Sequence, residues 1–167
     1  MKRHLATLAL VALAFAVSGT ARAQQAITPD QLIGTWKLRS QVIHNAATTG
    51  EDTVSHLAIG YLTFVRDGND LRASVNFAAA DRKQAVGYAT DDEAVQLFRS
   101  YSAYSGIVEL GPTATAEGTP ATTTIDVDLD PHGIGPHPRI YILDGTKLSV
   151  ISKVLTITTT TLFEKAQ

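Results

Sequence analysis

Strict alternation of apolar and polar residues is the feature that most limits what this chain can fold into. Between residues 123 and 129 the odd positions are Thr, Ile, Val and Leu, and the even positions are Thr, Asp and Asp. Successive side chains of a β-strand point to opposite faces, so this stretch buries one face and exposes the other. Threonine, which favours strands, supplies 19 of the 144 residues after residue 23. We therefore expect a β-sheet protein rather than a disordered, threonine-rich stalk.

Eight segments carry a strand pattern, and turn signals separate them. Asp67-Gly68-Asn69-Asp70 and Asp144-Gly145 each predict a hairpin. Residues 44–56 are predicted to be a loop or a ragged strand, and 111–120 and 130–138 to be loops. The predicted strands span residues 34–42, 59–66, 71–77, 104–110, 123–129, 139–143, 148–154 and 157–163.

One segment follows a helical period instead. Thr90-Asp91-Asp92-Glu93 forms a capping-box pattern, and apolar residues follow it at helical spacing, which predicts a single helix over residues 91–102. A sheet of about eight strands leaves exposed edges unless it closes or splits into two layers. We expect closure: an all-β fold, an antiparallel barrel of about eight strands with one short helix. A barrel of that size is filled by side chains or holds one small ligand.

The first residues have the layout of a cleavable signal peptide. Lys2 and Arg3 precede an apolar run over residues 5–17, and Ala21-Arg22-Ala23 ends the segment. The run is too short for a stable membrane span. We expect a signal peptide over 1–23, a tether over 24–32 that starts a helical turn at Pro29, and a barrel domain over 33–165. The expected location is periplasmic or secreted.

Charge and composition exclude several classes of protein. Without residues 1–23 the chain keeps 11 basic and 16 acidic residues, a net charge of −5, which argues against binding to nucleic acid. The chain has no cysteine, so a disulfide framework is excluded. A glycine-rich phosphate loop is also absent, so we expect neither a kinase nor a dehydrogenase, and no cofactor.

Four segments share a recognisable order along the chain: Gly34-Thr35-Trp36-Lys37-Leu38, Gly60-Tyr61-Leu62-Thr63-Phe64, Tyr101-Ser102-Ala103-Tyr104-Ser105-Gly106 and Arg139–Leu148. Together they resemble the small lipocalin-like domain of bacteria and fungi, over roughly residues 30–163. The resemblance implies a calyx that binds a small, mostly apolar molecule; some fungal relatives act as isomerases or cyclases on terpenoid-type intermediates. Thr122–Thr124 occupy the region where the family usually has a histidine.

Five residues are candidate ligand contacts: Tyr61, Phe64, Tyr104, Arg139 and Tyr141. Aromatic rings line an apolar pocket, and each tyrosine adds one hydrogen-bonding group. A half-buried arginine can hold a ligand carboxylate by a bidentate pair. The alternatives are ordinary packing for the aromatic residues and a salt bridge for Arg139. The pattern leaves open which face of strand 59–66 points inward, because a one-residue slip exchanges the two faces.

Trp36, the single tryptophan, is expected to be structural. The resemblance implies that it plugs the closed end of the barrel and packs on a cation such as Arg139. The alternative is a wall of the ligand cavity.

The remaining polar residues give no strong catalytic or metal signature. His132 and His137 could share a zinc ion with Asp130, but their spacing matches no metal motif, so we expect no metal. His56 is a candidate general base. Asp126 and Asp128 lie two apart on one strand face, as expected for a solvated exterior, and no catalytic residue is assigned.

Three functions follow in order of preference. The first is an exported protein that binds a small hydrophobic molecule in its barrel. The second is a structural or interaction protein with a filled barrel. The third is an isomerase or cyclase in which Tyr104, His56 or Arg139 moves protons. The sequence carries no signal for an oligomeric state.

Overall fold

Nine strands and two short helices make up the described part of the chain in a computed structural model. The described residues are 25–48, 51–82, 87, 90–129 and 133–167. The predicted signal peptide, Asp130 and His132 lie outside them. The helices are α1 (Pro29–Leu32) and α2 (Asp91–Arg99), and the strands are β1 (Gly34–Asn45), β2 (Asp52–Val54), β3 (Leu57–Asp67), β4 (Asp70–Ala79), β5 (Tyr101–Leu110), β6 (Thr119–Asp128), β7 (Gly135–Asp144), β8 (Lys147–Val154) and β9 (Ile157–Lys165).

The sheet closes into an antiparallel barrel. From β3 to β9 each strand pairs with the next one along the chain, and β1 pairs with both β3 and β9. Eight strands, β1 and β3–β9, therefore form the barrel. In the described part of the chain β2 pairs only with the end of β1, where Val42 is opposite Val54. The predicted all-β antiparallel barrel is confirmed. Among the described residues no helix is long and apolar enough to cross a bilayer.

Several elements differ in length from their predicted ranges. Helix α2 ends at Arg99 rather than residue 102, because Tyr101 already pairs with Ala78 of β4 and its hydroxyl donates to Asn76 Oδ1 at 2.7 Å. Strand β6 begins at Thr119 and β7 at Gly135, inside the two predicted loops. The prolines in these segments read as loop signals, but β8 pairs with β7 only from Ile140 onward. Among the described residues no strand pairs with the first half of β7 on that side, and proline is tolerated there.

A β-bulge in β1 changes which residues face inward. The pairing with β9 shifts between Leu38 and Ser40. Trp36 and Leu38 are buried inside, but beyond the bulge Gln41 and Ile43 face the interior. Regular alternation would put Ser40 on the face of Trp36, but an extra residue in one strand inverts the alternation that follows it.

The core fills one end of the barrel. Trp36 is fully buried, and its Nε1 donates to the carbonyl oxygen of Leu32 at 2.7 Å, so helix α1 is held against this end. The backbone N–H of Ile27 donates to Thr119 Oγ1 at 3.0 Å and anchors the segment before the helix. The cation over the Trp36 ring is Lys165, with Nζ 5.1 Å from the ring centroid, and not Arg139 as expected.

Candidate ligand-binding cavity

A cavity of about 310 Å³ lies inside the barrel beyond the Trp36 core. In the pairing of β1 with β9, Trp36 lies opposite Lys165 and Leu38 lies opposite Phe163. Phe163, two residues before Lys165 in β9, is part of the cavity wall. All eight barrel strands contribute side chains to its wall, so the cavity is the unfilled part of the barrel interior.

Apolar side chains form a large part of the wall. Phe77 and Phe163 stack with their ring centroids 5.9 Å apart and close the cavity on the side of the core. This surface is suited to the body of an apolar molecule. The apolar wall consists of Ile43, Leu57, Leu62, Ala73, Val75, Phe77, Val150 and Phe163.

Polar groups face the same space. Gln41 Nε2 donates to Thr161 Oγ1 at 3.2 Å, so these two side chains satisfy each other across β1 and β9. Ser102, Ser152 and Thr159 add hydroxyl groups. Pockets for small molecules combine an apolar wall with a few polar groups that fix orientation, and this cavity has both.

Arg139 is the charged side chain of the cavity wall as far as the structure describes it. It is half-buried, and its Nη1 donates to Ser152 Oγ and to the carbonyl oxygen of Pro138, both at 3.0 Å. The first of these bonds joins β7 to β8 and restrains the guanidinium at the wall.

Two tyrosine hydroxyls share the cavity with Arg139. Burial raises the pKa of Tyr141 to about 12, opposed by its hydrogen bond with Thr123 Oγ1 at 3.4 Å. Burial also raises the pKa of Tyr104, and the nearby Arg139 lowers it. The charge of Asp128, across from Tyr104 on β6, adds a smaller upward effect. Both hydroxyls therefore keep their protons at neutral pH and can donate hydrogen bonds.

Three of the five predicted ligand contacts line the cavity: Tyr104, Arg139 and Tyr141. Phe64 is fully buried in the core beside the cavity, with its ring edge-to-face against Tyr141 at 6.1 Å. Tyr61 is 45% exposed and lies on the outer face. The placement expected for Tyr61 is corrected because Leu62 and Phe64 are buried, which turns the intervening odd positions of β3 outward.

Other cavity residues were missed from the sequence, Gln41 and Thr159 among them. Gln41 faces inward only because of the bulge in β1, for which the sequence carries no signal. Thr159 shares the inner face with Phe163, and the alternation of β9 could have placed it there. In a run of four threonines, however, neither face stands out as apolar.

The remaining candidates lie away from the cavity. His56 is exposed, and its Nε2 donates to the carbonyl oxygen of Arg99 at 3.3 Å. His137 Nε2 donates to the carbonyl oxygen of Gly133 at 2.6 Å. Asp126 lies on the exterior in a bidentate pair with Arg72, at 2.8 and 2.9 Å, which lowers the pKa of Asp126. Within the described ranges no three His, Asp or Glu side chains are placed to share a metal ion.

Comparison with known proteins gives one match. The model of the lipocalin-like domain family matches residues 33–162, which is most of the chain and nearly the whole barrel. No curated protein and no solved structure matches.

Proposed function

The chain belongs to the lipocalin-like domain family, and we propose that it binds a small, largely hydrophobic molecule inside its barrel. The observation that carries this proposal is the cavity of about 310 Å³, walled by eight apolar side chains and by polar groups that can orient a ligand. Transfer of apolar ligand surface from water to such a wall contributes roughly 25 cal/mol per Å², before the costs of association.

The cavity favours binding over the two other functions considered from the sequence. A barrel that acts only as a scaffold needs no internal space, and well-packed interiors contain few voids larger than a water molecule. An isomerase needs a group that accepts a proton at neutral pH. Tyr104 and Tyr141 hold their protons under those conditions, and His56 lies outside the cavity, so the described residues suit binding better than proton abstraction.

We also propose that the protein is exported. The basic start, the apolar run and the Ala-Arg-Ala ending of residues 1–23 support a cleavable signal peptide. The protein is then located in the periplasm or secreted. Mass measurement of the protein recovered from an exporting host tests this directly: the expected chain starts at Gln24, and an uncleaved chain would contradict it.

Native mass spectrometry of the same preparation tests binding. We expect the folded chain to carry one small molecule, which is released at higher collision energy and can then be identified. Repeated recovery of the empty protein, together with failure to bind octanol when it is added, would overturn the proposal.

A matched pair of variants separates cavity binding from surface binding. Thr159 lines the cavity, whereas its neighbour Thr160 points to the other face of β9. Thr159→Phe should fill part of the cavity and lower octanol affinity at least tenfold, while Thr160→Phe should leave it within about twofold. Equal effects of the two substitutions would place the bound molecule outside the barrel.

A further inference from the structure

We infer that the cavity selects small ligands with an anionic head group, a carboxylate that pairs with Arg139. This inference rests on the proposed function and specifies its ligand class: a short apolar body with one negative charge. Four observations support it, namely the charge of the cavity wall, the geometry of the guanidinium, the two tyrosine hydroxyls beside it and the volume available.

The charge of the wall is positive and uncompensated by any described ion pair. Arg139 is the charged residue among the described side chains of the wall, and none of the ion pairs that the structure describes includes it. Burial raises the pKa of Tyr104, and the charge of Arg139 opposes this rise, so Arg139 stabilises negative charge placed next to it in the cavity. A half-buried cation loses hydration, and a ligand anion restores the lost interaction.

The guanidinium is positioned to bind a planar anion. Its Nη1 donates to Ser152 Oγ and to the carbonyl oxygen of Pro138, and the guanidinium also interacts with the Tyr104 hydroxyl. These contacts restrain the guanidinium plane beside Tyr104 and leave the remaining N–H donors for a ligand. Arginine holds a carboxylate through two parallel hydrogen bonds, a geometry that an alcohol or an amine cannot reproduce.

The tyrosine hydroxyls strengthen the preference for an acceptor. Tyr104 and Tyr141 both keep their protons at neutral pH, so they can donate to a carboxylate oxygen. An ammonium group is disfavoured at the same place, because the positive charge of Arg139 repels a second cation.

The volume limits the body of the ligand. A space of about 310 Å³ equals that of about ten water molecules in the liquid. A carboxylate with a chain of about eight carbons matches this space, whereas the chain of a long fatty acid would extend out of it. Octanoate is therefore a suitable probe, and octanol and octylamine are matched in length but differ in head group.

Calorimetric titration of the mature protein at pH 7 with these three probes tests the inference. We expect octanoate to bind at least tenfold more tightly than octanol, and octylamine to bind most weakly. Arg139→Gln should lower octanoate affinity at least tenfold and leave octanol within about threefold, which also shows that the variant is folded. Arg139→Lys should retain part of the preference, because it keeps the charge but not the bidentate geometry.

The outcomes distinguish the inference from the proposed function. Equal affinities for octanoate and octanol, or a preference that survives Arg139→Gln, would overturn the carboxylate inference while the proposed function stands. If none of the three probes binds to the unmodified protein, both fail. If octanoate binding is unaffected by Thr159→Phe, the anion binds outside the cavity and the inference is overturned.

Discussion

At the scale of single residues, Tyr141 shows how the barrel interior changes the chemistry of one side chain. The residue is 2% exposed, and its hydroxyl shares a hydrogen bond with Thr123. Ionisation would place a negative charge in this desolvated site, so burial raises the pKa of Tyr141 to about 12, from 10.0 in water. The folded state therefore resists ionisation that the unfolded chain undergoes freely.

This shift predicts a loss of stability at alkaline pH. The unfolded chain releases the Tyr141 proton near pH 10 and the folded protein near pH 12. The stabilisation is fully present below pH 10 and is lost as the pH rises towards 12, by about 2–3 kcal/mol from this group. Urea unfolding followed by circular dichroism from pH 8 to 11.5 measures it.

Tyr141→Phe is the control for this prediction. It removes the ionisable hydroxyl, so its unfolding free energy should decline less steeply above pH 10 than that of the unmodified protein. Below pH 9 the two should differ by about 1 kcal/mol or less, because the hydrogen bond to Thr123 is long at 3.4 Å. Parallel declines in the two proteins would show that Tyr141 is not the source.

The sequence predicted the cavity residues that stand out from their neighbours. Arg139 and Tyr141 are conspicuous in an apolar strand, and Tyr104 follows a recognisable motif. Tyr61 and Tyr104 are chemically alike, and their different placements depend on which face of each strand turned inward. That choice is made by packing across the barrel, which no single strand encodes.

At the scale of elements, the bulge between β5 and β6 requires a glycine. Pairing shifts between Ser105 and Gly106, and the two strands approach closely there. A Cβ atom on Gly106 would lie 2.3 Å from the carbonyl oxygen of Thr124 and 2.8 Å from the Cα of Ile125. Because both contacts are with backbone, a side chain could be accommodated only by moving the strands apart.

Gly106→Ala is therefore expected to destabilise the barrel by about 3 kcal/mol or more, as overpacking against backbone does. Gly145→Ala is the matched comparison. Gly145 lies in the β7–β8 turn with φ of 58° and open space around it, so alanine there should cost about 1–2 kcal/mol of conformational strain. Unfolding by urea gives both values, and a smaller effect at Gly106 than at Gly145 would contradict the close approach seen here.

Element boundaries were only partly predictable. Hydrophobic alternation located all eight barrel strands. The inward face predicted for residues 123–129 is wrong beyond Ile125, because a bulge against β5 turns Val127 outward, where it is 63% exposed. The alternation also missed the start of β7, where Pro136 and Pro138 look like loop residues, and it missed the bulge in β1. Both depend on partners distant in sequence: a proline, which has no N–H, is tolerated where no neighbouring strand needs a donor at that position, and a bulge is defined only against the strand it pairs with.

At the scale of the whole molecule, closure joins the first and last barrel strands. Pairing between β1 and β9 runs from Trp36 with Lys165 to Asn45 with Ile157. Neither strand is an edge of the sheet along this length, although the two are the first and last strands in the sequence of the domain. The sequence predicted closure from the cost of exposed edges, but the volume left inside depends on how all the inward side chains pack together.

Closure predicts a distinctive pattern of amide hydrogen exchange. Amides of β1 and β9 that pair with each other should exchange about as slowly as those of the central strands β4 and β5, because all of them require opening of the barrel. The short strand β2 pairs with β1 alone and should exchange much faster. Exchange of β9 at the rate of β2 would show that the β1–β9 seam opens independently.

The position of Trp36 has a practical consequence for detecting ligands. The single tryptophan is fully buried in the core and does not line the cavity; Phe77 and Phe163 are the stacked rings at that boundary. Its fluorescence will report sensitively on loss of the fold, because unfolding brings the indole from a dry core into water. A molecule bound in the cavity does not contact Trp36 and leaves its environment unchanged. A ligand screen that measures tryptophan fluorescence would therefore show no signal change on binding.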